Sequence, residues 1–226
     1  MHAQSVYMFR RTSGVYLWPE HRKDFDDRLF DTQVCMLGGH QLMVDLSRCN
    51  QVSATKFYRL KQCESLNFLD LSYTKCNSIR EIAEGCQNLR SLMLAGLSMS
   101  TDAYQQLSKL TTLEVLSLRN SKNITDRVIK PCKDMLMLRS LDLGHTDVQT
   151  ITPLAGLSRL EELCLDHTGK LYSNQGEEGA AEALKVLQTL PSLRVLNISE
   201  SASLWDNRAA LALQLSPELY IEPRTR

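Results

Sequence analysis

Leucines recur along this chain in a fixed rhythm. The phrase Leu-x-x-Leu-x-Leu, closed three residues later by a small polar residue, occurs at Leu66/Leu69/Leu71/Thr74 and Leu113/Leu116/Leu118/Ser121. It returns at Leu138/Leu141/Leu143/Thr146, Leu160/Leu163/Leu165/Thr168 and Leu193/Leu196/Ile198/Ser201. Two weaker copies extend it: Leu89/Leu92/Leu94, with Leu97 in the closing place, and Val44/Leu46/Cys49. Residues two apart on a strand share a side, so each phrase predicts a short strand with its leucines facing inward. One such strand cannot bury that face alone; stacked neighbours bury it jointly. The common period of about 22–25 residues therefore predicts a solenoid. The closing Thr or Ser stands where the chain leaves the strand, and its hydroxyl can bond the bent backbone.

About seven repeats fill residues 41–205, in an α/β architecture. A curved parallel sheet is expected on the concave face, with short helices and 3-10 turns on the convex face. Residues 1–40 read as an N-terminal arm or cap and residues 206–226 as a C-terminal cap, with Leu219-x-Ile221 as a last frayed strand. Between strands, Ser53–Lys61 predicts a helix capped by Ser53, and Ser78-x-x-Glu81 has capping-box spacing. Thr101–Ser108 and Thr125–Lys130 predict helical turns, the latter ended or kinked by Pro131. Ile151–Leu157 is too short for more than a 3-10 turn. The longest repeat carries a polar loop, Gly169–Gly176, expected to protrude. A helix over Glu177–Leu190 follows, with Ala181, Leu184, Val186, Leu187 and Leu190 on its apolar face.

These phrases resemble leucine-rich repeats. Leu118-x-x-Ser121-x-x-Ile124-Thr125-Asp126, with Cys49, Cys63 and Cys86, is similar to the cysteine-containing subtype. Leu143-x-x-Thr146-x-Val148-x-x-Ile151-x-Pro153-Leu154-x-x-Leu157 is similar to the shorter internalin-like or phosphatase-regulator-like subtype. The chain reads as a hybrid. The resemblance implies a protein-binding role: a ubiquitin-ligase substrate receptor, a scaffold, a phosphatase regulator, or a member of a short mitochondrial class associated with complex assembly. Fold alone does not choose among these.

Composition narrows the choice little. Lys+Arg equals Asp+Glu at 26 each, so no global field draws nucleic acid or membrane. No apolar run reaches the roughly 18–20 residues a bilayer requires, and Arg10 and Arg11 interrupt any secretory signal core. The seven cysteines are scattered and odd in number, as in a reducing, intracellular compartment where they serve as core hydrophobes. The sequons at Asn123 and Asn197 then go unused. The expected place is cytoplasmic or cytoskeletal. A mitochondrial location is the alternative, because no acidic residue precedes Glu20 and Met8-Phe9-Arg10-Arg11-Thr12-Ser13 resembles a targeting segment.

The outward positions of successive strands form columns. One reads Asp45, Asp70, Met93, Ser117, Asp142, Cys164, Asn197, and another Arg48, Tyr73, Gly96, Asn120, His145, His167, Glu200. Between them lie Ser72, Arg119 and Asp166. The expected partner-binding residues are Tyr73, Met93, Arg119, Asn120, Asp142, His145, Asp166 and His167, a mixed-charge groove on the order of 30 Å long. The arm, with Tyr7, Phe9, Arg10, Arg11, Tyr16 and Trp18, is the second choice. With Arg22, Lys23 and Arg28 it could also touch RNA, and Leu17-Trp18-Pro19-Glu20 faintly resembles the opening of an F-box. His145 and His167 are neighbours with Asp142 and Asp166 nearby, but convergence on a metal is not visible in sequence. Catalysis has one candidate, Cys164 beside Asp166 and His167, and none of the phosphate-loop or hydrolase motifs. The expectation is a non-enzymatic module without cofactor, metal or small-molecule substrate.

Overall fold

A computed structural model describes residues 14–16, 19–35, 42–173, 175–201, 204, 206–208, 215 and 219–221. Its spine is one parallel sheet whose strands follow one another in sequence order. They are β1 (Gly14–Tyr16), β2 (Met43–Asp45), β3 (Phe68–Asp70), β4 (Ser91–Met93) and β5 (Val115–Ser117). Then come β6 (Ser140–Asp142), β7 (Glu162–Cys164), β8 (Val195–Asn197) and β9 (Tyr220–Ile221). The register is the one the leucine phrase requires: Val44, Leu69, Leu92, Leu116, Leu141, Leu163 and Leu196 are consecutive Cα partners. All seven are buried.

The closing residues behave as their chemistry predicts. Thr74, Thr146 and Thr168 donate from Oγ1 to the carbonyls of Leu71, Leu143 and Leu165, at 2.7, 2.6 and 2.6 Å. Ser121 reaches back a repeat: its Oγ donates to the Leu94 carbonyl at 2.7 Å and accepts from the Leu97 amide at 3.1 Å. The hydrophobic Leu97 can fill its closing place because the next repeat supplies the hydroxyl. Sequon residue Asn123 is similarly tied, donating to the Met99 carbonyl at 2.9 Å.

The convex side mixes helix types. Helix α1 spans Asp27–Phe30, α2 Arg80–Gly85, α3 Thr101–Tyr104, α4 Asp126–Ile129 and α5 Gly176–Leu187. Ala54–Gln62 is 3-10, and 3-10 turns continue α3 and α4 over Gln105–Lys109 and Lys130–Asp134. Pro131 sits at the start of the second of these and lacks the amide that would extend α4. Thr152–Leu154 is a 3-10 turn, as its length demands.

Several local expectations need correction. Ser53 makes no capping bond to its own helix; its amide and hydroxyl both donate to Asp27, at 2.7 and 2.6 Å. No capping box forms at Ser78, because the N-cap is Ile79. The Gly169–Gly176 segment does not simply protrude: Leu171 and Tyr172 turn into the core, and the Tyr172 hydroxyl accepts from the Ile151 amide at 3.2 Å. On α5 the inward alanines are Ala180 and Ala183, while Ala181 is exposed.

Residues 1–40 are not wholly outside the repeat pattern, since β1 joins the sheet, Gly14 to Tyr16 facing Met43 to Asp45. Tyr7, Phe9, Arg10, Arg11, Trp18 and the Leu17-Trp18 half of the F-box-like opening lie outside the described residues. Phe25, Phe30 and Val34 are buried in one core with Val44 and Leu46, and Phe30 meets Phe57 edge-on at 5.9 Å. Arg22 is not a free basic side chain: it pairs with Asp45 at 2.6 Å and bonds Ser47. Asp31 likewise pairs with Lys56 and Arg59, each at 2.6 Å.

Cys49, Cys63, Cys76, Cys86 and Cys132 are buried free thiols. Burial pushes Cys49, Cys76, Cys86 and Cys132 up to about 12, so they remain protonated and unreactive at neutral pH. Reductant should therefore leave the melting temperature of the metal-free protein unchanged. A drop of the size a lost disulfide brings, about 2–4 kcal/mol, would contradict this.

Candidate partner-binding face

The second outward column has an unusual backbone. Arg48, Tyr73, Asn120, His145, His167 and Glu200 all have positive φ, between 53° and 61°, and Gly96 joins them at 69°. The cause lies in the hydrogen-bond ladder. Each turn aims its amide at the next repeat: Tyr73 N donates to Ala95 O at 2.7 Å, Asn120 N to Gly144 O at 2.9 Å, His145 N to Asp166 O at 2.8 Å and His167 N to Ser199 O at 2.8 Å. Repeat pairing thus continues past each three-residue strand, and it holds non-glycine residues in a conformation costing on the order of 1 kcal/mol or more each. The sequence carried one signal of this: Gly96 and Asn120, the residue types most at ease there, fall in one column.

The first column is spent largely on the same turn. Asp45, Asp70 and Asp142 accept from the amides two residues on, at Ser47, Ser72 and Gly144, over 2.9, 2.8 and 2.9 Å. Asn197 accepts from Ser199 at 3.0 Å. Asp142 is therefore first a brace for the strand exit. Burial raises the pKa of Asp70.

Five of the expected residues converge. Arg119 reaches across Gly144 to Asp166, two repeats away, with Nη1 and Nη2 each 2.6 Å from a carboxylate oxygen. It also lies 3.4 Å from Asp142 Oδ1. The crossing requires glycine: a Cβ at 144 would stand 2.3 Å from Arg119 Nη1 and 2.4 Å from Asp166 Oδ1. Above this pair the imidazoles of His145 and His167 stack, with centroids 4.1 Å apart and planes within 10°. His167 Nδ1 and His145 Nε2 approach Asp166 Oδ2 at 3.1 and 3.5 Å.

Burial alone would raise the Asp166 carboxyl, but hydrogen bonds from Arg119, Cys164 and His167 outweigh it and hold the group well below the usual carboxylate range. His145 is lowered by desolvation, by His167 and by Arg119. Arg119 and Asp166 are thus paired with each other, while both imidazoles stand exposed above them. The Cys164 thiol donates to Asp166 Oδ1 at 2.8 Å, and burial with Asp166 pushes it up to about 12, so it stays protonated at neutral pH.

Tyr73 belongs to a second group. Its ring lies over Gly96, where a Cβ would stand 2.2 Å from the ring, and the Arg48 guanidinium sits 4.7 Å from its centroid. Met93 and Asn120 bridge the two groups, half-buried and exposed respectively. Arg48 and Gly144 were not singled out from sequence. Their roles depend on which ring and which ion pair the neighbouring repeats supply.

No protein-family model matches the chain. By structure it is similar to an internalin (inlF) from Listeria monocytogenes, at 20% identity and a TM-score of 0.56, covering 81% of this chain and 54% of that one. It is also similar to internalin C2 (inlC2) of the same organism, at 21% identity and a TM-score of 0.46, covering 56% of this chain and 62% of that one. The chain thus spans about half the length of the first internalin. With the leucine register and the sequential parallel sheet, the first likeness establishes what kind of fold this is: the chain is a leucine-rich-repeat solenoid.

Proposed function

We propose that this protein is a non-enzymatic protein-protein interaction module, a structural or assembly subunit of a larger intracellular complex, that meets its partner on the concave face. One observation carries the reading. The backbone under Tyr73, Asn120, His145 and His167 is fixed by inter-repeat hydrogen bonds, while the charges beneath them are paired with one another. The side chains left over are aromatic, amide and imidazole groups on a preorganised frame, which bind with little loss of entropy. Buried thiols at positions spread through the core support an intracellular setting. We take residues 1–40 as arm and cap, 41–205 as the solenoid and 206–226 as the C-terminal cap. The arm is the weaker docking candidate, because Arg22, Asp27 and Asp31 are spent on contacts with the first repeats.

A photo-crosslinking residue tests this face. Placed at Met93 it should give a discrete adduct in cells, whereas the same residue at the exposed convex position Gln188 should not. The triple variant Tyr73→Ala, Met93→Ala, His145→Asn should keep its fold and lose partner recovery. Arg119 is left in place because its loss would strand Asp166. Adducts from Gln188 alone, or full recovery with the triple variant, would move the interface off this face.

A further inference from the structure

We propose that His145, His167 and Asp166 form a binding site for one divalent transition-metal ion of the zinc class, with an open coordination position toward the concave groove. The three ligand atoms lie within 4.8 Å of one another. In tetrahedral zinc sites, metal–nitrogen and metal–oxygen bonds of about 2.0–2.2 Å put neighbouring ligands about 3.3 Å apart. The His167 Nδ1 to Asp166 Oδ2 distance is 3.1 Å and that from His145 Nε2 is 3.5 Å, so both edges sharing the carboxylate already match. The third edge, between the two imidazoles, is within 4.8 Å, and it closes when the stacked rings rotate so that their nitrogens converge. Both rings are 40% or more exposed, which leaves them room.

The supporting shell is built. Arg119 grips Asp166 from the other side through both oxygens, fixing the carboxylate's orientation. Carboxylates in metal sites are oriented in this way by outer hydrogen bonds. Arg119 also adds positive charge nearby, so the site should bind more weakly than a structural zinc centre. The left-handed backbone at His145 and His167 is held by amides donating to Asp166 O and Ser199 O, each at 2.8 Å, and this fixes where the rings start. The adjoining set, Asp142 with Cys164 and Asp166, is the poorer choice. Its thiol stays protonated on Asp166, and Asp142 Oδ1 already accepts from Gly144 at 2.9 Å and from Arg119. With two imidazoles and one carboxylate from the protein, the remaining position falls to water or to a side chain of a bound partner.

The test uses the 226-residue chain, stripped of metal by chelation, reduced with a non-thiol reductant and titrated with zinc sulfate against a chromophoric chelator. One equivalent should bind. Affinity should fall at least tenfold in His145→Asn and again in His167→Asn, and it should weaken as pH drops through the imidazole range, because protons and metal compete. Asparagine is chosen because it tolerates the left-handed backbone, as Asn120 already does, so melting temperatures should hold. Two histidine side-chain resonances of the wild type should also shift with the first equivalent. Undiminished zinc affinity in the double variant, which would assign the metal to cysteines, overturns the proposal. So does a wild-type spectrum in which no histidine resonance moves.

Discussion

Leu141→Asp should unfold the protein or come close to it. Leu141 is 1% exposed and sits at the centre of β6, opposite Leu116 on one side and Leu163 on the other. A carboxylate there has no partner in the leucine stack, and burying it costs several kcal/mol, against a total stability of about 5–15 kcal/mol for a domain. The loss should spread, because each repeat is held chiefly by its neighbours. Hydrogen exchange should show lost protection in β5 and β7 as well as in β6. Leu136→Asp is the matched control: Leu136 is 60% exposed, and its substitution should shift stability by less than about 0.5 kcal/mol. A melting temperature within a degree or two of wild type for Leu141→Asp would show that the stack is not what holds these repeats.

That experiment probes the part of the molecule most visible in the sequence. Leucine spacing alone placed β2 through β8 in register, since a one-residue slip would turn every leucine outward. The N-terminal end was harder. Tyr220-Ile221 forms the last strand expected from Leu219-x-Ile221, whereas Gly14-Val15-Tyr16 pairs with β2 while carrying almost nothing of the phrase. A terminal strand has a neighbour on one side only and needs fewer inward leucines. The Gly169–Gly176 segment misled because its polar composition hides two anchors, Leu171 and Tyr172, which are buried, the Tyr172 hydroxyl meeting the previous repeat at the Ile151 amide. Helix caps misled for a related reason: the Ser53 hydroxyl donates to Asp27, 26 residues away, and accepts no amide of its own helix.

In the candidate site, the columns could be read off the spacing, but the partners within them could not. His145 and His167 are adjacent in one column and do stack. Arg119 and Asp166 stand two repeats apart in another, a separation at which contact is not the default. Only the absence of a side chain at Gly144 between them allows it. A glycine flanked within its column by opposite charges is a pattern that sequence could have shown.

Removing that glycine should cost nearly as much as removing the arginine. Gly144→Ala puts a methyl group in the path of the bridge, and Arg119→Ala deletes the donor. Either way Asp166, 7% exposed in its side chain, keeps its charge without its main partner. Breaking a buried pair costs about 3–5 kcal/mol; the one-third exposure of Arg119 brings the expectation to about 2–3 kcal/mol. Gly144 lacks positive φ, so alanine there carries no backbone penalty and would otherwise be neutral or slightly stabilising. The double variant should cost no more than either single one, since both remove the same contact. Acid supplies an independent check. The folded-state pKa of Asp166 lies below its ordinary value of 3.8, so its stabilisation is complete above that value and fades as pH falls toward the lower folded-state one. Urea midpoints of wild type and Arg119→Ala should therefore differ clearly at pH 7 and draw together on acidification below about pH 3. Additive costs in the double variant, or a gap that widens in acid, would mean that Gly144 and Arg119 stabilise the solenoid by separate routes.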